Sequence, residues 1–267
     1  MTRATSVPLP HRTVSVVDSG GPGEPVLLAH GFALDSTMFA GQCSGPSALA
    51  PDRRVIAWDA PGHGASPVGD TAFTFWDLAR DQVALMDVLG IERAVVGGVS
   101  QGGFIALRTA LVAPERVSAL LLLDTEADAL SPADAEAYGQ LFAALAAHGP
   151  TAELTTALAG QIVGDHPAAD RWAQTWRERG VPLGPPVDCL VGRADINDRL
   201  AEITVPALVA RGEHDRSIPA ERQERLRAGL VRATELHVVP GAGHSPALTH
   251  PEQVNRLVTD FLDDPSE

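Results

Sequence analysis

The sequence predicts an α/β protein, a doubly wound and mostly parallel sheet with an inserted helical cap. Three observations carry that expectation. Short β-branched runs alternate with longer helical patterns through the first half of the chain, the signature of parallel strands joined by crossover helices. The alternation resumes after about residue 200, and between the two stretches the strand signals vanish. Residues 1–125 and 201–267 are therefore expected to form one core, with 126–200 inserted as the cap; 267 residues suit one folding unit of this kind.

In chain order, Thr13 to Asp18 and Val26 to Ala29 read as strands, Ser36 to Leu49 as a helical stretch and Arg54 to Trp58 as a strand. From Thr74 the residues Phe75, Ala79, Val83 and Met86 recur at helical spacing, with Thr74 and Asp77 placed as a capping pair and Gly90 at the stop. A strand follows over Arg93 to Gly98, then a helix opening near Gly102. The unbroken apolar run Ser118 to Leu123 suits a strand covered on both faces. In the insertion, Tyr138/Phe142, Leu154/Leu158/Ile162 and Trp172/Trp176 stand four residues apart, interrupted by Gly149-Pro150, Gly164 and Gly180-Val181-Pro182. Three or four short helices are expected there. The final βα units are Val205 to Ala210, Ala220 to Gly229, Thr234 to Val239 and Pro251 to Leu262.

Composition removes several function classes. The 34 acidic and 20 basic residues give a formal charge of −14, which repels nucleic-acid phosphates and anionic lipid surfaces. Every basic residue is Arg, and the absence of Lys removes Schiff-base chemistry, a Walker lysine and Ser-Lys dyads. Cys43 and Cys189 are far apart and read as small hydrophobes rather than a zinc or disulfide framework. No apolar run approaches the ~20 residues of a spanning helix, and the first six residues lack a signal-peptide pattern. A soluble, cytoplasmic protein with neither nucleic-acid nor membrane partner is expected.

Gly98-Val99-Ser100-Gln101-Gly102 fits G-x-S-x-G between a strand and a helix, the context that gives the motif meaning. So sharp a reversal strains the backbone at the serine and requires glycine two residues to either side. Ser100 then projects above the carboxyl edge of the sheet, and the following helix turns its positive end toward a developing oxyanion. An ordinary glycine-rich turn is the competing reading. His244, between Gly243 and Ser245 in the loop after the last strand, has the address of a general base. Asp215, in Gly212-Glu213-His214-Asp215, is preferred as the acid that orients it. Asp124, ending the strand at Leu123, competes for that role, and Asp59 is a third, weaker choice. The amides of Phe32 and Gln101 are the expected oxyanion donors. His30 and His63 are read as structural. No cofactor and no metal is expected.

Together, His30-Gly31-Phe32, the Asp59 to Ser66 loop, the Gly98 to Gly103 elbow, Val205-Pro206 leading to Asp215, and Gly241 to Pro246 resemble the α/β-hydrolase superfamily. The similarity spans nearly the whole chain outside the insertion. It is nearest to the subgroup of 3-oxoadipate enol-lactonases, small-molecule carboxylesterases and cofactor-free perhydrolases, in which the insertion caps the active site. Gln101 departs from the Met or Leu common after the nucleophile in that group, which bears on the substrate and not on the backbone amide. A serine nucleophile sets the chain apart from the dehalogenases and epoxide hydrolases, whose elbows carry aspartate. The resemblance implies hydrolysis of a small, hydrophobic carboxylic ester or lactone through an acyl-enzyme. Carbon–carbon hydrolysis of a vinylogous diketone is the alternative, and a hydrolase-fold binding protein without turnover a third reading. Tyr138, Phe142, Trp172 and Trp176 are candidates for substrate contact or for core packing.

Overall fold

Among the residues described by the computed structural model (4–50, 52–69 and 71–264), the chain runs β1 (Thr5–Pro8), β2 (Thr13–Asp18), β3 (Glu24–Ala29), a 3₁₀ turn (Ser36–Phe39) leading into α1 (Ala40–Cys43), and β4 (Arg53–Asp59). Next come α2 (Phe75–Val88), β5 (Ala94–Val99), α3 (Gln101–Val112) and β6 (Val117–Leu123). Four helices follow, α4 (Pro132–His148), α5 (Ala152–Ile162), α6 (Ala168–Arg179) and α7 (Pro185–Val191). The chain then returns through β7 (Ala207–Gly212), α8 (Ala220–Gly229), β8 (Ala233–Val239), α9 (Pro246–Thr249) and α10 (Pro251–Asp263).

The strands form one sheet in the order β1-β2-β4-β3-β5-β6-β7-β8. Pairing is antiparallel at β1/β2 and β2/β4 and parallel from β4 through β8. The inner strands explain the apolar runs: every residue of β5 is buried, and Leu120 to Leu123 of β6 are buried as well. Burying a leucine stabilises by roughly 1.5–3 kcal/mol, so this stretch anchors the sheet. β3 has β4 on one side and β5 on the other, so strand order reverses there. The carboxyl ends at such a reversal open a crevice, and Ala29 pairs with Gly98 at its floor.

The capping pair at the head of α2 is a full capping box: the Thr74 side chain accepts from Asp77 N, and Asp77 accepts from Thr74 N at 2.9 Å. One expectation fails and one strand is unforeseen. The stretch Ser36 to Leu49 is not one helix but a 3₁₀ turn, capped by Asp35 through Thr37 N, and a single helical turn. Gly45, at φ 123°, followed by Pro46 ends it there. β1 has no counterpart in the sequence reading, because only Val7 of its four residues is buried and no apolar alternation marks it. No strand interrupts residues 126–200, where four α-helices stand as expected.

Candidate active site

Ser100 follows β5 directly and precedes α3, with φ 54° and ψ −114°. A non-glycine residue held there costs of order 1–3 kcal/mol, and the surroundings hold it from both sides. Its N–H donates to Leu123 O at 2.9 Å, and its carbonyl accepts from Gly103 N (2.9 Å), Phe104 N (3.2 Å) and the Thr125 hydroxyl (2.8 Å). The glycines are steric requirements: a Cβ on Gly98 would lie 2.0 Å from Ala29 O, and one on Gly102 1.9 Å from the same atom. β3 thus lies against the elbow, and a Cβ on Gly31 would be 3.8 Å from Ser100 Cβ.

His244 Nδ1 and Asp215 Oδ1 are 2.9 Å apart, with side-chain exposures of 6% and 0%. A carboxylate at Nδ1 selects the tautomer protonated there and leaves Nε2 as the acceptor. Asp215 Oδ1 also accepts from Ser217 N (2.8 Å) and Ile218 N (3.2 Å), and Oδ2 from the Gln223 amide (2.9 Å). Burial opposes its charge, yet the His244 ring, the Asp124 side chain and the Ser217 N–H hold its carboxyl below the usual range.

The competing acids are occupied differently. Asp59 bridges two loops, accepting from Ser36 N at 2.7 Å and Ala65 N at 3.0 Å. Asp124 is fully buried and accepts from Gly212 N at 2.8 Å through Oδ1. His30 Nε2 accepts from Ala60 N at 3.0 Å, which assigns the ring proton to Nδ1, 2.8 Å from Gly31 O. His63 is buried and packs edge-on against Phe32 at 5.2 Å; burial first, then the neighbouring His30, lower its pKa well below the ordinary value. Among the described residues, neither the Phe32 nor the Gln101 amide N–H meets a protein acceptor. The Gln101 side chain turns toward His30, 3.4 Å from Nδ1.

Ser100 and His244 line one small cavity of about 30 Å³. Phe32, Phe142, Leu158, Ile162 and Leu190 form its apolar wall, with Tyr138, Gln161 and Ser217 as polar neighbours. An adjoining recess of about 20 Å³ also touches Ser100 and His244 and is walled by charge. Glu126, 2% exposed, pairs with Arg193 and, at 3.1 Å, with Arg222, which reaches Asp134 of α4 at 2.8 Å. Burial raises the Glu126 pKa despite both guanidiniums. The Arg193 guanidinium stacks over Phe104 at 4.8 Å. These pairs join α4 to α8 across the cavity.

A family model for the alpha/beta hydrolase fold matches residues 24–251. The chain belongs to the α/β-hydrolase family. It is 32% identical over 254 residues to RutD of Variovorax paradoxus (strain S110), which bears the name of a carbamate hydrolase, spanning 90% of this chain and 92% of that one. It is 30% identical over 270 residues to the 2-hydroxy-6-oxo-6-phenylhexa-2,4-dienoate hydrolase of Burkholderia cepacia, covering 92% and 90%. A thermophilic esterase from Thermogutta terrifontis superposes with a TM-score of 0.83 at 27% identity, covering 98% of each chain. Membership of the α/β-hydrolase family supports hydrolytic activity.

In this α/β-hydrolase the residues singled out from sequence divide cleanly. Ser100, His244 and Phe32 line one cavity and Asp215 lies behind His244, whereas Gln101 is not among the lining residues and its side chain turns toward His30. Tyr138 and Phe142 join the lining, whereas Trp172 and Trp176 wall a separate cleft with His63, and Trp176 Nε1 donates to Ala33 O at 2.7 Å. The charged wall of Glu126, Asp134, Arg193 and Arg222 escaped the sequence reading, since Arg222 stands on α8, far along the chain from the other three, and no local pattern brings them together. Asp124, Asp215 and His244 offer oxygen and nitrogen ligands within 4.8 Å of one another, but Asp215 Oδ1 already accepts three protein donors. Among the described residues, no helix is long and apolar enough to cross a membrane.

Proposed function

We propose that this hydrolase cleaves small, largely apolar carboxylic esters or lactones through an acyl-enzyme on Ser100. The observation that carries the reading is the small cavity shared by a serine on a strained elbow and a histidine whose far nitrogen is held by a buried carboxylate. The Ser100 proton passes to His244 Nε2 as Oγ bonds to the carbonyl carbon, and Asp215 holds the imidazolium. The amides of Phe32 and Gln101 receive the oxyanion. Collapse returns the proton from His244 to the departing alkoxide; water, deprotonated by the same ring, then releases the acid and restores Ser100. Residues 126–200 act as the cap, and 1–125 with 201–267 as the core. The apolar wall of Phe32, Phe142, Leu158, Ile162 and Leu190 favours a compact hydrophobic acyl group.

A general base commonly contributes 10²–10⁴-fold and an oxyanion donor about 3 kcal/mol. Ser100→Ala is therefore expected to abolish turnover of p-nitrophenyl esters and labelling by a fluorophosphonate. A variant that keeps most of the activity would end the reading. The Burkholderia cepacia relative favours a second reading, hydrolysis of a carbon–carbon bond in a vinylogous diketone by the same residues. Turnover of ring-cleavage products in preference to esters, lactones and carbamates would select it.

A further inference from the structure

The mechanism above leaves one buried acid without a task. Asp124 is fully enclosed at the end of β6, with φ 44°. Its N–H donates to Ala210 O at 2.9 Å, and its Oδ1 accepts from Gly212 N at 2.8 Å, so it is seated beneath the loop that carries Asp215. Oδ2 is closed to water and meets no donor among the described residues. Carboxyl oxygens of Asp124 and Asp215 and a ring nitrogen of His244 lie within 4.8 Å of one another.

Two carboxylates so close and so dry do not both ionise; one keeps a proton, and the pair titrates as a unit. The charged groups facing Asp124 are Asp215 and His244 from the loops after β7 and β8, and Arg211 from β7 itself. We propose that Asp124 is a positioning residue that keeps a proton on Oδ2 and donates it to Asp215, and that it takes over the negative charge when Asp215 cannot carry it. The acid pair thereby presents a single negative charge to the imidazolium, and a hydrogen-bond donor occupies the otherwise donor-free side of Asp124. Burial, followed by the charge on Asp215, raises the Asp124 pKa well above that of an ordinary aspartate, while Asp215 is lowered. The two opposite directions fit one proton shared by the pair and resident on Asp124.

The inference rests on the serine-nucleophile reading. Its test is kcat/KM against pH for p-nitrophenyl ester hydrolysis by the wild type, Asp124→Asn, Asp215→Asn and the double variant. Asn matches Asp124 in shape, accepts from Gly212 and offers an N–H to Asp215. Asp124→Asn alone is expected to cost a few-fold, about the scale of one neutral hydrogen bond exchanged for another, with the acidic midpoint of the profile unmoved. Asp215→Asn is expected to lose only ~10²-fold, because Asp124 ionises in its place, and the double variant to fall to the ~10⁴-fold loss of a triad without an acid. Equal factors for Asp124→Asn in the two backgrounds would show that Asp124 merely packs, and overturn the proposal. So would a lowered acidic midpoint in Asp124→Asn alone, since that requires a charge on Asp124 at rest. If the variants unfold, infrared spectra of unaltered enzyme labelled with ¹³C-aspartate decide: a carboxylic-acid carbonyl band persisting into mildly alkaline pH supports the protonated acid, and its absence refutes it. Full activity in Ser100→Ala would instead bring down the mechanism beneath the proposal, whereas equal factors with Ser100→Ala inactive would remove the role of Asp124 alone.

Discussion

Gly102→Ala is the substitution that most directly probes how the elbow is built. Inside a helix, Gly to Ala ordinarily stabilises by about 1 kcal/mol. At Gly102, in the first turn of α3, the new methyl would stand 1.9 Å from Ala29 O and 2.6 Å from Ala29 C. Ordinary contact lies near 3.4 Å, so α3 and β3 must separate by about 1.5 Å. Overpacking of this kind costs typically 1–3 kcal/mol, which offsets the helical gain and lowers Tm by about 2–4 °C per kcal/mol for a chain this size. The separation also falls between Ser100, at the head of α3, and Phe32, three residues beyond Ala29. A displacement near 1 Å between reacting groups can cost ~10²-fold, so kcat/KM for a p-nitrophenyl ester is expected to drop by that order. Gly139→Ala is the control: its position in α4 has nothing within 4 Å, and it should raise Tm at unchanged activity. A Gly102→Ala enzyme that melts no lower than wild type and keeps half its kcat/KM would refute the steric account.

Other outcomes follow from the same contacts. Phe142, packed 5.4 Å from Phe32 and stacked on Tyr138 at 5.9 Å, closes the apolar wall; Phe142→Ala should shift the acyl-chain optimum of a p-nitrophenyl ester series to longer chains and cost about 3 kcal/mol or more of stability. Arg193→Met leaves the buried Glu126 with Arg222 alone and should destabilise by about 3–5 kcal/mol in urea, with Glu126→Leu in the same chain recovering most of it. Asp124 has a folded-state pKa raised above the ordinary 3.8. Its contribution to stability is therefore complete below that pH and declines as pH rises toward the folded-state value. Asn has no such decline, so the unfolding free energy of Asp124→Asn relative to wild type should climb above roughly pH 4, by up to about 1.4 kcal/mol per unit; a difference independent of pH would contradict the protonated acid. Burial pushes Cys189 up to about 12 and Cys43 to about 11, so neither thiol should be alkylated by iodoacetamide in the native state at neutral pH.

What the sequence by itself determined is what short-range rules govern. The Thr74–Asp77 box, the glycines around Ser100 and the covered strand at Leu120 to Leu123 are legible because each depends on residues within a few positions of one another. The order of strands and helices follows from those local patterns, and with it the address of Ser100, Asp215 and His244 at the ends of strands. Local rules also account for the failed expectation and the unforeseen strand. β1 buries one side chain and borrows its hydrogen bonds from β2, and the stretch after Asp35 has helical composition until Gly45-Pro46 interrupts it.

Only the tertiary structure decided which distant groups share an environment. Asp59, Asp124 and Asp215 all end or follow strands, and sequence could rank them but not separate them. The separation comes from the donors that meet each one: Ser36 and Ala65 for Asp59, Gly212 for Asp124, and His244, Ser217 and Ile218 for Asp215. The charged wall is of the same kind, because Arg222 on α8 is remote in the chain from both Glu126 and Asp134 and becomes their neighbour only in the packed molecule. Periodicity records which face of an element is apolar; the free energy of a buried charge depends on which partner arrives from elsewhere in the chain, and that is a property of the packed molecule.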